Sequence, residues 1–403
     1  MGLFKDVPKP ACWPPPKTNE GVIQLLEYPQ KRDPYGDVAH LILATLFLIS
    51  IPINSVAASI GMGVLFFYWL VRLHVTWTSI TPLLVNPIMV FFVLYIIWSA
   101  ASLLWSTEVD NGLEHLRSMR VAIVPFLLWP IITRWKILLM GLLFGVVFLN
   151  ASQFFDAYNM LTTSGAVSRT SGFIGGHPPS AGLWCGFSIL ISLMFAKNAR
   201  LLSPAFFLFT ITAFCAALGC ILASGRGNIV GLIVIFSGLI FLQIIKEKKF
   251  KKALFCFLGV LVGVIVLLQI PAAGTFLQQR VQQANAGYSA FVKQDDPRTS
   301  TGVRLVWWSS ATRAFKEHPI LGLGLGGFEG WTPKDSGLNT YRERWPEWTE
   351  ENIVEVSHPH STYLSVLSEG GVLGSTMMSM VILCSSLLAW RCIRQSGWGI
   401  TFA

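Results

Sequence analysis

Apolar runs recur along the whole chain, divided by short polar stretches. A helix of about 17 to 25 apolar residues crosses a hydrocarbon layer of about 30 Å with every backbone group satisfied internally. On that rule the candidate spans lie near 38–55, 57–73, 85–104, 117–133, 136–155, 180–196, 203–223, 228–245, 253–272 and 361–390. The stretch 273–360 breaks the rhythm: it is polar and too long for a turn, so it must carry structure of its own. Within it Val303, Val306, Trp307, Ala314 and Phe315 recur at helical spacing. They predict an amphipathic helix over 303–317, on or in the membrane interface, with Ser300 or Thr301 as cap and His318-Pro319 as its end. The pattern therefore predicts an all-α polytopic integral membrane protein with about 10 to 12 transmembrane helices. Its parts are an N-terminal tail (1–36), a helical region (37–272), the long, partly helical loop (273–360), and a last transmembrane segment with the chain end (361–403).

Composition agrees. Of 403 residues 53% are hydrophobic and 13% charged, with a mean hydropathy of +0.57, which excludes a soluble globular chain. The net charge of +9 matters through its placement, and as membrane-side bias it does not call for nucleic acid. The most basic short loop, Lys246 to Lys252, belongs on the cytoplasmic side by the positive-inside rule. Alternation then puts the basic N-terminal tail, Arg72, Arg134 with Lys136, Lys197 with Arg200, and Arg391 with Arg394 on that same side. The opposite side receives 108–120, 156–179, the Ser224–Asn228 turn and 273–360. The first 36 residues hold no apolar core and so read as a tail, irregular around Pro14-Pro15-Pro16, rather than a signal peptide. Seven cysteines, five of them inside apolar runs and none in a CxxC pair, predict neither a disulfide framework nor a metal site.

The candidate chemistry lies on the extracytoplasmic side. Arg226, in Ser224-Gly225-Arg226-Gly227, reads equally as a snorkelling arginine and as a phosphate ligand whose neighbouring glycines let backbone N–H groups approach an anion. Arg169 opens a Gly- and Pro-punctuated loop that runs to Pro179 and contains His177; on its own it reads first as structural. Arg304 occupies the first turn of the 303–317 helix, where the helix dipole also favours an anion; the alternative is a surface arginine facing lipid headgroups. His360 stands at the mouth of the last span. There the positive helix end keeps the imidazole neutral and ready to take a proton. His358, two residues earlier, is expected to point elsewhere and shape the turn with Pro359. Alone, His360 would read as an interfacial residue; three arginines on the same side turn the reading toward a polyanion beside a base. No DxD or HExxH motif accompanies them, so arginines rather than a metal ion are expected to neutralise the phosphate.

Four motifs in order resemble the O-antigen ligase/polymerase superfamily of bacterial integral membrane glycosyltransferases. They are Arg169 to Pro178, Ser224 to Gly227, Gly302 to Trp307 with Glu317 to Gly324, and His360 to Leu364 with Glu369 to Gly374. The resemblance covers roughly 165–375. It implies a C-class glycosyltransferase in a bacterial inner membrane, working on the periplasmic side. Such an enzyme moves O-antigen glycan from undecaprenyl pyrophosphate to a hydroxyl of lipid A-core oligosaccharide, by inverting displacement and without cofactor or metal. Carried over, Arg226 and Arg304 hold the pyrophosphate, Arg169 is a further contact, and His360 activates the acceptor. His358, Tyr363 and His177 are supporting candidates. The motifs do not separate a ligase from an O-antigen polymerase or a protein O-oligosaccharyltransferase. An anionic-lipid transporter or flippase is the rival from another class, without the inverted repeats it would carry.

Overall fold

The structure is a computed structural model that describes residues 10, 13–16, 18–164, 170–172, 177–200, 202–223, 231, 282, 285–354, 356 and 358–396. In chain order its helices are α1 (Asn19–Arg32), α2 (Pro34–Ile53), α3 (Ser55–Val71), α4 (Leu73–Leu84), α5 (Pro87–Ser102), α6 (Val109–Ser118) and α7 (Val124–Leu128). There follow α8 (Trp135–Ser164), α9 (Pro178–Asn198), α10 (Pro204–Ala223), α11 (Gly302–Glu317), α12 (Gly327–Trp331) and α13 (Thr362–Ser396), with short helical turns before α13. No strand occurs among the described residues, and the chain is an all-α polytopic membrane protein. Five helical stretches among the described residues are long and apolar enough to cross a membrane, six if the bent pair α3–α4 counts as one. The expected spans at 228–245 and 253–272 lie outside the described residues.

Three expectations change. The 117–133 span is a broken path, Met119–Ile123 and Trp129–Arg134 being 3-10 turns on either side of α7, because Pro125 and Pro130 each remove a helix donor. Residues 74–84, which fall between the expected spans 57–73 and 85–104, form most of α4, turned by 105° from α3. The tail is helical from Asn19 on, its first turn capped by Thr18.

The chain divides into two compact units. One comprises 1–83 and 124–253, the other 84–123 and 254–403. In the first, α2 packs on α3 and α8, and the α9–α10 pair packs on α8. One end is held by buried charge. Asp33 caps α2 and also receives Arg72 Nε at 2.9 Å; Arg72 Nη1 lies 3.0 Å from His40 Nδ1, and Arg134 pairs with Asp37 at 3.1 Å. Arg72 is buried, so it is an internal tie rather than a loop cation. The tail, Arg72 and Arg134, which alternation assigns to one side, do meet at one end of this unit.

In the second unit the described part of the long loop has a small core of its own. Val306 and Leu338 are fully buried there, with Phe291, Tyr341 and Trp348 against them. The apolar face of α11 is thus covered by protein, not lipid. Thr301 stands at its N-cap, as expected, but makes no side-chain cap there; Thr299 Oγ1 accepts Gly302 N–H at 3.0 Å. Buried Asp335 ties the core together. It receives Arg313 through two nitrogens at 2.8 and 2.7 Å, Ser310 at 2.5 Å and Gly337 N–H at 2.9 Å. Burial raises this carboxyl, but the hydrogen bonds from Arg313, Ser310 and Gly337 outweigh it and hold Asp335 below the usual carboxylate range.

α13 is not one continuous helix. At Gly371 the backbone is non-helical, with φ 60° and ψ −161°. Val372 N–H, which an unbroken helix would aim at Ser368 O, donates to Pro319 O at 2.8 Å. Ser368 O instead accepts Leu323 N–H at 2.9 Å, and Glu369 O accepts Gly324 N–H at 3.0 Å. The segment after α11 is therefore spliced into the break. Gly322, with φ 73°, lies so close to Glu369 O that a Cβ there would collide with it, and a Cβ on Gly371 would collide with Ile320 O. Ser102 Oγ accepts Leu325 N–H at 2.9 Å, and Trp98 Nε1 donates to Gly370 O at 3.1 Å, which fixes the splice to α5.

Candidate functional site

His360 lies within the second unit. α13 starts at Thr362, and Ser361 O accepts Ser365 N–H at 2.8 Å, so His360 stands just outside the helix. Its φ is 50°, a left-handed conformation that costs a non-glycine residue about 1–2 kcal/mol. The ring explains why the fold holds it there. It stacks on Trp307 of α11, with centroids 4.4 Å apart and planes 23° apart. Trp307 is itself fixed by donating Nε1 to Asn352 O at 3.0 Å.

Arg304 sits three residues before Trp307, on the same helical face and in the first turn of α11, as expected. Its side chain is exposed, and among the described residues it makes no hydrogen bond or ion pair. Its charge is nevertheless felt by His360. Burial, the neighbouring His358 and Arg304, in that order, lower the pKa of His360 below the ordinary histidine value. The ring is thus biased toward its neutral form, able to accept a proton, as the sequence suggests. The causes the structure shows are burial and these two neighbours. His358 does not point away: its ring lies 4.3 Å from that of His360, tilted by 39°. The trio Trp307, His360 and His358 makes one aromatic stack beside a cation.

The stack borders a cavity of about 440 Å³, lined by residues of α5, of the stretch from His115 to Met119, and of the segment from His358 to Gly370. His360 is on its wall and Arg304 is not. Among the described residues the fold therefore presents a base biased toward its neutral form on the cavity and a cation without a partner along the helix face carrying its stacking partner. That combination suits proton abstraction beside an anionic leaving group.

Arg169 and Arg226 lie outside the described residues. The stubs leading into their segments are joined in the first unit: Thr170 N–H donates to Leu222 O at 3.1 Å, and Thr170 also bonds Asp156 through its hydroxyl. Buried Gln153 spans the same join, its Nε2 3.2 Å from Gly219 O. His177 is exposed at the start of α9 in that unit, without a capping hydrogen bond from its side chain. Tyr363 is 77% exposed and is not on the cavity wall. Among the described residues no group of three or more His, Cys, Asp or Glu is placed to hold a metal ion.

Sequence reasoning gave no role to Trp98, His115 or Glu369, all of which line the cavity. Glu369 had a readable signal, an ionisable residue inside an apolar run; Trp98 and His115 had none.

Part of the chain matches known proteins. Over 198 residues, 49% of this chain, it is 26% identical to an uncharacterized protein of Haemophilus influenzae (strain ATCC 51907 / DSM 11121 / KW20 / Rd). The match takes in 46% of that protein, so the chain aligns with about half the length of this curated relative. Residues 211–379, which run from α10 through the Trp307–His360 stack to beyond the break in α13, match the family model described as O-antigen ligase, and it is to that family that the chain is similar.

Proposed function

We propose that the protein is an O-antigen ligase of the bacterial inner membrane, joining O-antigen glycan to lipid A-core on the periplasmic side. The observation that carries this reading is the stack itself: a pKa-lowered His360 on a cavity wall, stacked on Trp307, which shares its helix face with Arg304, a cation without a partner among the described residues. His360 takes the proton of the acceptor hydroxyl as its oxygen bonds to the anomeric carbon of the donor. The bond from that carbon to phosphate breaks in the same displacement, with inversion, and undecaprenyl pyrophosphate leaves with the electron pair. Arg304 stabilises the charge gathering on the leaving group, and Arg226 and Arg169 take the pyrophosphate roles that their motifs imply. Arginines supply that charge in place of a metal ion. His358 supports by depressing the basicity of His360.

Purified protein reconstituted with undecaprenyl-pyrophosphate-linked glycan and lipid A-core tests the reading. Glycan-capped lipid A-core is the expected product. Elongation of the undecaprenyl-linked chain instead would make the protein a polymerase, and glycan on added protein acceptors would make it a protein O-oligosaccharyltransferase. Transbilayer movement of the lipid without transfer would make it a flippase.

A further inference from the structure

Ile320 and Leu321, in the turn that follows α11, are 64% and 46% exposed. Two bulky apolar side chains together at a surface mark a contact with something apolar. The splice shows which surface they belong to. Pro319 O accepts Val372 N–H, and Ile320 O lies against Gly371, so this turn stands level with the break in α13. Val372 and Leu373, the first residues past the break, are themselves exposed.

That level is the edge of a membrane span. The stretch 370–390 holds no Asp, Glu, Lys or Arg and is bounded by Glu369 and Arg391. At about 1.5 Å per helical residue it is about 31 Å long, against about 30 Å for a hydrocarbon layer. From Val372 to Cys392 only Gly374 is buried within the protein, so lipid covers most of α13 from the break onward. Before the break, Val366, Ser368 and Glu369 are buried. Irregular backbone is tolerated at membrane depth only where protein satisfies its polar groups. The turn is built that way: Pro319 has no N–H to satisfy, and Gly322, Leu323 and Gly324 donate theirs to His318 O, Ser368 O and Glu369 O. A soluble partner for Ile320 and Leu321 would have to enter the layer that lipid already fills around Val372 and Leu373.

We propose that Ile320 and Leu321 form a foot of the long loop, inserted among the acyl chains of the leaflet that α13 enters at Val372. The foot is continuous with α11, so the bilayer bears directly on the helix that carries Trp307 and Arg304. The inference goes beyond the transfer reading and stands without it.

The test uses the wild-type full chain in liposomes containing a phosphatidylcholine with a diazirine on one acyl chain. After illumination, labelled residues are mapped by peptide mass spectrometry. Ile382, Leu383, Leu387 and Leu388, exposed further along α13, serve as the internal reference for lipid contact. Label is expected at Ile320 and Leu321 as well as at the reference residues, and not at Ser309 and Thr312, which are exposed on α11. Label on the reference residues without label on the turn overturns the proposal, whether water, a second copy or another protein covers the turn. Label at Ser309 and Thr312 equal to that on the turn also overturns it, because lipid would then meet the helix and not a foot. Ile320→Asn, which makes the foot polar, should cut the label on the turn about fivefold with the reference unchanged, and Ile320→Met should keep it. Undiminished label in the Asn variant counts against insertion, and if that variant does not fold the wild-type map decides alone.

Discussion

Replacing Trp307 tests whether the stack places the base. His360 holds a left-handed backbone at a cost of about 1–2 kcal/mol. An aromatic pair in the observed geometry returns about 0.5–1.5 kcal/mol beyond its buried area. The two magnitudes are close, so removing the stack lets the segment before α13 relax and turn the ring from the cavity. Trp307→Leu should therefore lower kcat/KM about tenfold, the equivalent of about 1.4 kcal/mol. Trp307→Phe keeps a ring and loses the hydrogen bond to Asn352 O, worth about 0.5–1.5 kcal/mol and felt chiefly as stability. The Leu and Phe variants share the loss of indole packing, so their ratio isolates the stack. His360→Ala, by comparison, should cost about 10²- to 10⁴-fold as the loss of a general base. The assay is reconstituted transfer, with thermal unfolding run on each variant. A Leu variant as active as the Phe variant would refute the argument.

Four further outcomes follow from the same structure. The acid limb of kcat/KM should lie below the ordinary histidine range, because protonation disables the base and the pKa of His360 is lowered; removing the Arg304 charge by Arg304→Gln should move that limb to higher pH, and an unmoved limb counts against the pairing. Asp335→Asn should destabilise the second unit by about 1.5–3 kcal/mol for each charged hydrogen bond lost, read by thermal unfolding; the native contribution is full above the ordinary carboxylate pKa and fades as pH falls through the lowered folded value. Gly371→Ala should lower the unfolding temperature and the activity together, since a Cβ there strikes Ile320 O, whereas Gly63→Ala, with open space around it, should do neither. Transfer should survive EDTA, and inhibition that magnesium reverses would contradict an arginine-based mechanism.

Periodicity sufficed for α2, α9, α10 and α13, whose apolar lengths match a bilayer whatever they pack against. It failed where packing decides. Pro125 and Pro130 break an apolar run that composition alone counts as a span, and α4 holds Thr76, Thr78, Ser79 and Thr81 buried by bonding their hydroxyls to backbone carbonyls, which hydropathy scores as loop. In the site, Arg304 on the first turn of α11 and a neutral His360 were both readable. The pairing of His358 with His360 was not, because the left-handed backbone of His360 itself, which sets where its ring falls, leaves no mark in the sequence. The cavity was invisible for the same reason: α5 and the start of α13 are far apart in sequence and joined only through the splice.

The exchange of backbone partners at Gly371 has a consequence for how this sequence can change. The segment Pro319–Gly324 and the segment Ser368–Val372 complete one another's hydrogen bonds, and neither is a finished structure alone. A side chain gained at Gly322 strikes Glu369 O, and one gained at Gly371 strikes Ile320 O, so each position sets what the other tolerates. The two motifs are therefore inherited as a pair. Among diverging copies of this chain, substitutions in one should appear together with compensating substitutions in the other.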